Sequence, residues 1–79
     1  MAKIEIKVPD LGMDSKEIHF GLWLKELDDE VEVGEDLFEV EADKATVVCE
    51  SPASGVLVVK EITQGTVKPG DVIGYLNAR

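Results

Sequence analysis

The chain has little with which to build a conventional active site. A single cysteine, Cys49, allows no internal disulfide, and Cys/His spacing suited to a metal is absent. Lone His19 has neither a Cys nor a second His at ligand spacing, so no metal role is expected for it. The longest apolar run, Val56-Leu57-Val58-Val59, is far short of a membrane span or the apolar region of a signal peptide. Basic residues are scarce, with eight Lys/Arg against 17 Asp/Glu and a net charge of −9. Nucleic-acid binding is thereby disfavoured, because phosphate backbones reward clustered cations. No window of ten or more residues carries a helical stripe. At 79 residues the chain reads as one small domain over residues 1–79, with little room for a deep catalytic cleft. No catalytic residue is assigned; a binding or carrier module is the expectation.

What is present is alternation. Ile4, Ile6 and Val8 alternate with Lys3, Glu5 and Lys7, predicting a half-buried strand over 3–8. A second strand is predicted to point Ile18, Phe20, Leu22 and Leu24 to one side. Further strands are expected over 31–33, 37–41, 46–50, 56–62, 66–68 and 72–76, separated by turn signals such as Asp28-Asp29, Gly34-Glu35-Asp36 and Ser51-Pro52-Ala53-Ser54-Gly55. Enrichment in Val, Ile and Thr agrees with an all-β domain of about eight short strands. Trp23 and Tyr75 read as partly buried packing residues, and Cys49 as a packed residue within a strand.

The chain also repeats itself. Val8-Pro9-Asp10-Leu11-Gly12 matches Ser51-Pro52-Ala53-Ser54-Gly55 at an offset of 43. Leu22 to Leu27 matches Leu57 to Ile62 at 35, and Val31-Glu32-Val33-Gly34 matches Val67-Lys68-Pro69-Gly70 at 36. Two homologous halves are implied, with loop 10–16 as the main asymmetry between them. A pseudo-twofold axis relating them would set the Asp43-Lys44 turn opposite both chain termini, which would lie close together. That is the layout of a carrier whose attachment point faces away from its tether.

Charge singles out the same turn. Ten of residues 26–43 are acidic, and Lys44 is the one positive charge between Lys25 and Lys60. The acids read either as a solvated face that keeps a small protein soluble or as steering toward basic partners. Flanked by Ala42, Asp43 and Ala45 at an expected hairpin tip, Lys44 is approachable by a modifying enzyme. By position alone it reads as an ordinary solvated turn lysine.

Glu41-Ala42-Asp43-Lys44-Ala45 resembles the lipoyl-attachment motif, an acidic residue and a variable one followed by Asp-Lys-Ala. The resemblance runs through the chain: Val8-Pro9-Asp10-Leu11-Gly12 is similar to the family's opening and Trp23 falls at its strand-two tryptophan. Residues 31–40 are similar to its Val-x-x-Gly-Asp-x-Leu-x-x-Val segment, with Glu35 displaced into the Gly-Asp pair. Leu27-Asp28-Asp29 stands where the family usually has a glycine turn, and Glu17-Ile18 where it often has Glu-Gly.

The resemblance implies a flattened β-barrel or sandwich of two four-stranded antiparallel sheets, a barrel-sandwich hybrid. It also implies lipoate in amide linkage to Lys44, a swinging arm of a 2-oxo acid dehydrogenase complex. Glu41, Asp43 and Ala45 would then be recognition residues, joined by Asp10, Leu11 and Gly12 of a loop near the hairpin. The implied partners are a lipoate ligase or lipoyl transferase, a thiamine-diphosphate 2-oxo acid decarboxylase, an acyltransferase core and dihydrolipoyl dehydrogenase. Neither nucleic acid nor membrane is among them, and the isolated domain is expected to be monomeric. The expected location is cytoplasmic, or the mitochondrial matrix if a presequence is removed. A biotinyl carrier shares the fold but normally flanks its lysine with Met on both sides, where Asp43 and Ala45 stand. The lipoyl protein of glycine cleavage is longer and ends in helical segments. An unmodified β-barrel interaction module is the reading from a different class.

Overall fold

The computed structural model describes residues 2–11, 18–42 and 45–78. Alternation becomes strands where it was expected: β1 (Lys3–Lys7), β2 (Ile18–Trp23), β3 (Glu30–Val31), β4 (Asp36–Ala42), β5 (Ala45–Glu50), β6 (Gly55–Lys60), β7 (Thr66–Val67) and β8 (Val72–Ala78). They form two four-stranded antiparallel sheets, ordered β1-β8-β6-β3 and β5-β4-β2-β7. Outside β2, the apolar side of the alternation faces the other sheet. Ile6, Val31, Leu37, Val40, Leu57, Ile73 and Leu76 are each fully buried between the two layers. Cys49 packs into the same core, as expected for it.

The repeat is visible in the hydrogen bonds. Val8 and Ser51 each hold the same type of turn, Val8 with Gly70 and Asp71 and Ser51 with Gly34 and Glu35. The Phe20 N–H donates to Gly65 O (2.8 Å) as the Leu57 N–H does to Asp29 O (3.0 Å). The pseudo-twofold therefore exchanges β1 with β5, β2 with β6, β3 with β7 and β4 with β8, and one sheet with the other. It also corrects one expectation: Phe20 matches Leu57, so β2 maps onto β6 at an offset of 37 and not 35. A two-residue slip keeps every side chain on its own face, so hydrophobic alternation alone does not detect it.

A second correction concerns β2. Ile18 and Phe20 are buried as expected, but Leu22 is 51% exposed and Leu24 38% exposed, while Trp23 turns inward. The cause is a β-bulge. Phe20 pairs with Val40 and Leu22 with Glu39, leaving Gly21 as the extra residue. A side chain at Gly21 would place its Cβ 2.9 Å from Glu39 O, so the bulge needs glycine there. The redirected indole packs against Phe20 and Phe38, with centroids 5.4 and 5.7 Å away, and its Nε1–H donates to Ile62 O at 2.8 Å.

Three turns share one construction. In Glu26-Leu27-Asp28-Asp29, Glu32-Val33-Gly34-Glu35 and Lys68-Pro69-Gly70-Asp71, the last N–H donates to the first carbonyl at 3.0–3.1 Å. The last carboxylate in turn accepts from the first N–H at 2.7–2.9 Å. Each has a positive φ at its third residue, +88° and +90° at Gly34 and Gly70 and 75° at Asp28. Asp28 therefore tolerates a left-handed backbone where glycine would carry no strain. Asp28→Gly is expected to raise stability by about 0.5–1 kcal/mol, since left-handed strain of ~1–2 kcal/mol outweighs glycine's extra unfolded-state entropy. A thermal melt higher by about 2–6 °C is the sign to look for, and an unchanged or lower midpoint contradicts it.

Glu35 fills its turn's closing role with a longer side chain than Asp71 uses. The Glu32 N–H and the Lys25 ammonium, 3.0 Å away, hold its carboxyl below the usual value of 4.5. A depressed folded-state pKa contributes stability that is complete above that ordinary value and lost as pH falls through the lowered one. Glu35→Gln keeps an accepting oxygen and removes the charge. Urea midpoints measured from pH 6 down to 3 should fall less steeply for the variant, and parallel curves would show that the pairing contributes nothing.

Candidate functional site

The β4–β5 hairpin is framed by its base. Ala42 and Ala45 are cross-strand partners, so two residues, Asp43 and Lys44, join the strands. Both lie outside the described residues, as does Gly12. Ala42 is fully buried and Ala45 exposed, so the hairpin base is anchored on one side and bears no bulky side chain. By the pseudo-twofold, the counterparts of Ala42 and Ala45 are Ala78 and Ala2. The Ala78 N–H donates to Ala2 O at 2.9 Å, so the terminal segments meet in the position related by symmetry to the hairpin base.

Strand pairing brings further residues to the hairpin. Val67, Ile18, Ala42 and Ala45 form one row across β7-β2-β4-β5, and Thr66, His19, Glu41 and Thr46 form the next. Ile18, paired with Ala42, therefore sits beside the hairpin base. Glu41 and Ala45 are exposed on this sheet, as recognition residues must be. Of the other expected recognition residues, Asp10 is exposed, and Leu11 is partly buried against the core. His19 and Thr46 flank Glu41 and were not singled out as neighbours of the hairpin. His19 lies 22 positions before Glu41, and only the register through the Gly21 bulge joins them.

The edge strands β1 and β5 border a surface cleft of about 700 Å³ whose lining includes Ile4, Lys7, Pro9, Val47, Cys49 and Pro52. Burial pushes the Cys49 thiol pKa up, away from the thiolate that a nucleophile requires. Lys7 is paired with Glu5 at 3.4 Å. The described residues contain no group of three or more His, Cys, Asp or Glu able to hold a metal ion. An amide-linked prosthetic group asks for something simpler, a primary amine on a short turn held by two paired strands. Lys44, between the paired residues Ala42 and Ala45, fits that requirement.

Residues 4–76 match the family described as "Biotin-requiring enzyme". The chain is 43% identical over 75 residues to the dihydrolipoyllysine-residue succinyltransferase component of the 2-oxoglutarate dehydrogenase complex of Bacillus subtilis, covering 92% of this chain and 18% of that protein. It is 38% identical over 72 residues to the dihydrolipoyllysine-residue acetyltransferase component of the pyruvate dehydrogenase complex of Corynebacterium glutamicum, covering 90% and 11%. A mitochondrial acetyltransferase component 2 of the pyruvate dehydrogenase complex from Arabidopsis thaliana is 42% identical over 71 residues, covering 87% and 13%. The chain thus spans less than a fifth of each of these relatives. Matched along nearly its whole length, and folded as two pseudosymmetric four-stranded sheets, the chain belongs to the biotin- and lipoyl-attachment domain family.

Proposed function

We propose that this chain is a lipoyl carrier domain, with lipoate in amide linkage to Lys44. The observation that carries the reading is the two-residue connection in Glu41-Ala42-Asp43-Lys44-Ala45, closing between the paired alanines of β4 and β5. The similarity to dihydrolipoyllysine-residue acyltransferase components favours lipoate over biotin, as do Asp43 and Ala45 in place of flanking methionines. When bound, the group supplies a dithiol that accepts and releases acyl groups, so the chemistry is the cofactor's and display is the protein's.

Display requires a rigid base, because ordering a loose segment at each visit would weaken binding. The paired strands β4 and β5 supply that base, and Ala42 anchors it in the core. Lys44 presents its amine to a lipoate ligase or lipoyl transferase. Once modified, it presents the group to a thiamine-diphosphate 2-oxo acid decarboxylase, an acyltransferase core and dihydrolipoyl dehydrogenase. Glu41, Asp43 and Ala45 flank the lysine for recognition, together with Asp10, Leu11 and Gly12. Tethering within a complex raises the effective concentration of the arm at each site.

Side-by-side incubation with lipoate, ATP and a lipoate ligase, and with biotin, ATP and a biotin ligase, tests the reading by intact mass. One lipoyl increment and no biotinyl increment is the expected result. The reverse pattern would assign the biotinyl role, and no increment in either arm on folded protein would leave an unmodified interaction module.

A further inference from the structure

The pseudo-twofold supplies an internal comparison, because each position on one sheet's outer face has a counterpart on the other. Leu22, Glu39 and Val48 form a row across β2-β4-β5 on the outside of the hairpin-bearing sheet. Their counterparts are Val59, Tyr75 and Glu5, in a row across β6-β8-β1. The two rows have diverged. Leu22 and Val48 are 51% and 45% exposed, whereas Val59 and Tyr75 are half-buried. Both rows follow the same bulge, at Gly21 in β2 and at Val58 in β6, so the backbone plan is shared and the divergence lies in the side chains and their exposure.

Charge has diverged as well. Among the described residues, β2, β4, β5 and β7 contain no Lys or Arg but do contain Asp36, Glu39, Glu41 and Glu50. The strands of the opposite sheet carry Lys3, Lys7 and Lys60 against Glu5 and Glu30. Exposed Leu22 and Val48 therefore share one face with these acids, and β4 and β5 of that face run directly into the hairpin.

We propose that the outer face of β5-β4-β2, centred on Leu22, Glu39 and Val48, docks the enzyme that acylates Lys44. That enzyme is an ATP-dependent ligase whose active-site mouth is basic and partly apolar. The proposal rests on Lys44 being the lipoylated residue. Its chemistry fixes what the ligase surface must offer. Cations hold the phosphate of the activated acyl adenylate, and apolar walls hold its hydrocarbon chain. The deprotonated Lys44 amine attacks the acyl carbonyl carbon and forms the amide bond. The bond from that carbon to the adenylate oxygen breaks, AMP leaves, and the amine's second proton passes to solvent. A mouth basic enough to hold the adenylate repels an incoming lysine ammonium. An acidic flank beside that lysine, with exposed Leu22 and Val48 on either side of Glu39, offsets the repulsion and orients the approach.

The test is steady-state lipoylation by a lipoate ligase at saturating lipoate and ATP, read by intact mass as a function of protein concentration. Leu22→Thr and Glu39→Lys are each expected to raise KM for the domain about tenfold, with kcat changed less than twofold. Glu5→Lys makes the same charge change at the counterpart of Val48 and should leave KM unchanged. Added salt should raise KM for the wild type and flatten that response in Glu39→Lys. Far-UV circular dichroism and thermal melts establish that each variant is folded. Wild-type KM in both face variants overturns the proposal. So does an effect confined to the decarboxylase acting on the loaded chain, or to self-association. A wild type that takes no lipoyl group at all overturns the lipoyl reading itself, a distinct outcome.

Discussion

Phe38→Ala is expected to lower the unfolding free energy by about 3–5 kcal/mol, the loss seen when a fully buried aromatic ring is removed from a core. Phe38 is 1% exposed and sits on β4, one of the two central strands of the hairpin-bearing sheet. Its ring stacks on Phe20 at 6.1 Å and 12° and meets Trp23 at 5.7 Å and 52°. Removing it deletes two of the three ring contacts of this cluster and leaves the Phe20–Trp23 pair beside a cavity. Net stability of a chain this long is about 4–12 kcal/mol, so the variant would lose a large part of it. A urea titration should show the midpoint collapsing toward zero or the protein unfolded in water. An unfolding free energy within ~1 kcal/mol of wild type would mean that the cluster does not hold the sheets together. The functional consequence lies on the same strand: Ala42, which anchors the hairpin, is four residues further along β4.

Gly55→Ala is the second large effect. The added Cβ would fall on the carbonyl oxygen of Asn77, 2.9 Å from that residue's carbonyl carbon and 3.2 Å from the Ala78 Cα. All three are backbone atoms of β8, so no side-chain rotation relieves the clash and β6 must shift away from β8. A loss of about 2–3 kcal/mol follows, at the upper end for overpacking. It should appear as a melting point lower by roughly 10–20 °C, with amide exchange accelerated first along β6 and β8. An unchanged melting point would show that the two strands are not so closely apposed. The counterpart of Gly55 on the other sheet is Ile18, buried beside the hairpin base. The two halves thus share a backbone plan while differing at the position where one half holds the hairpin.

The fold was legible in the sequence wherever period-two alternation was uninterrupted. Ile4, Ile6 and Val8 define β1 and its inward face without ambiguity, and the paired turn glycines Gly34 and Gly70 reveal the repeat. It was misread at β2, because one extra residue reverses facing without leaving a compositional mark. Gly21 looks like any strand glycine until its closeness to Glu39 O is known. Unbroken alternation puts Leu22 and Leu24 inside, and the bulge that turns them outward exposes Leu22 beside Glu39 and Val48. The repeat offset of 35 failed for a related reason, since a slip of two preserves facing and only backbone hydrogen bonds distinguish 35 from 37. At the hairpin, the local motif identified Lys44 and its sequence neighbours. His19 and Thr46 beside Glu41 come from strand register and could not be read from spacing.

The most direct measurement is the intact mass of wild type and Lys44→Ala after incubation with lipoate, ATP and a lipoate ligase, followed by peptide mapping of the modified chain. The wild type should gain one lipoyl increment, mapped to the peptide containing Asp43 and Lys44, and the variant should gain none while melting at the wild-type temperature. An increment that persists in Lys44→Ala, or that maps to another lysine, would contradict Lys44 as the attachment site.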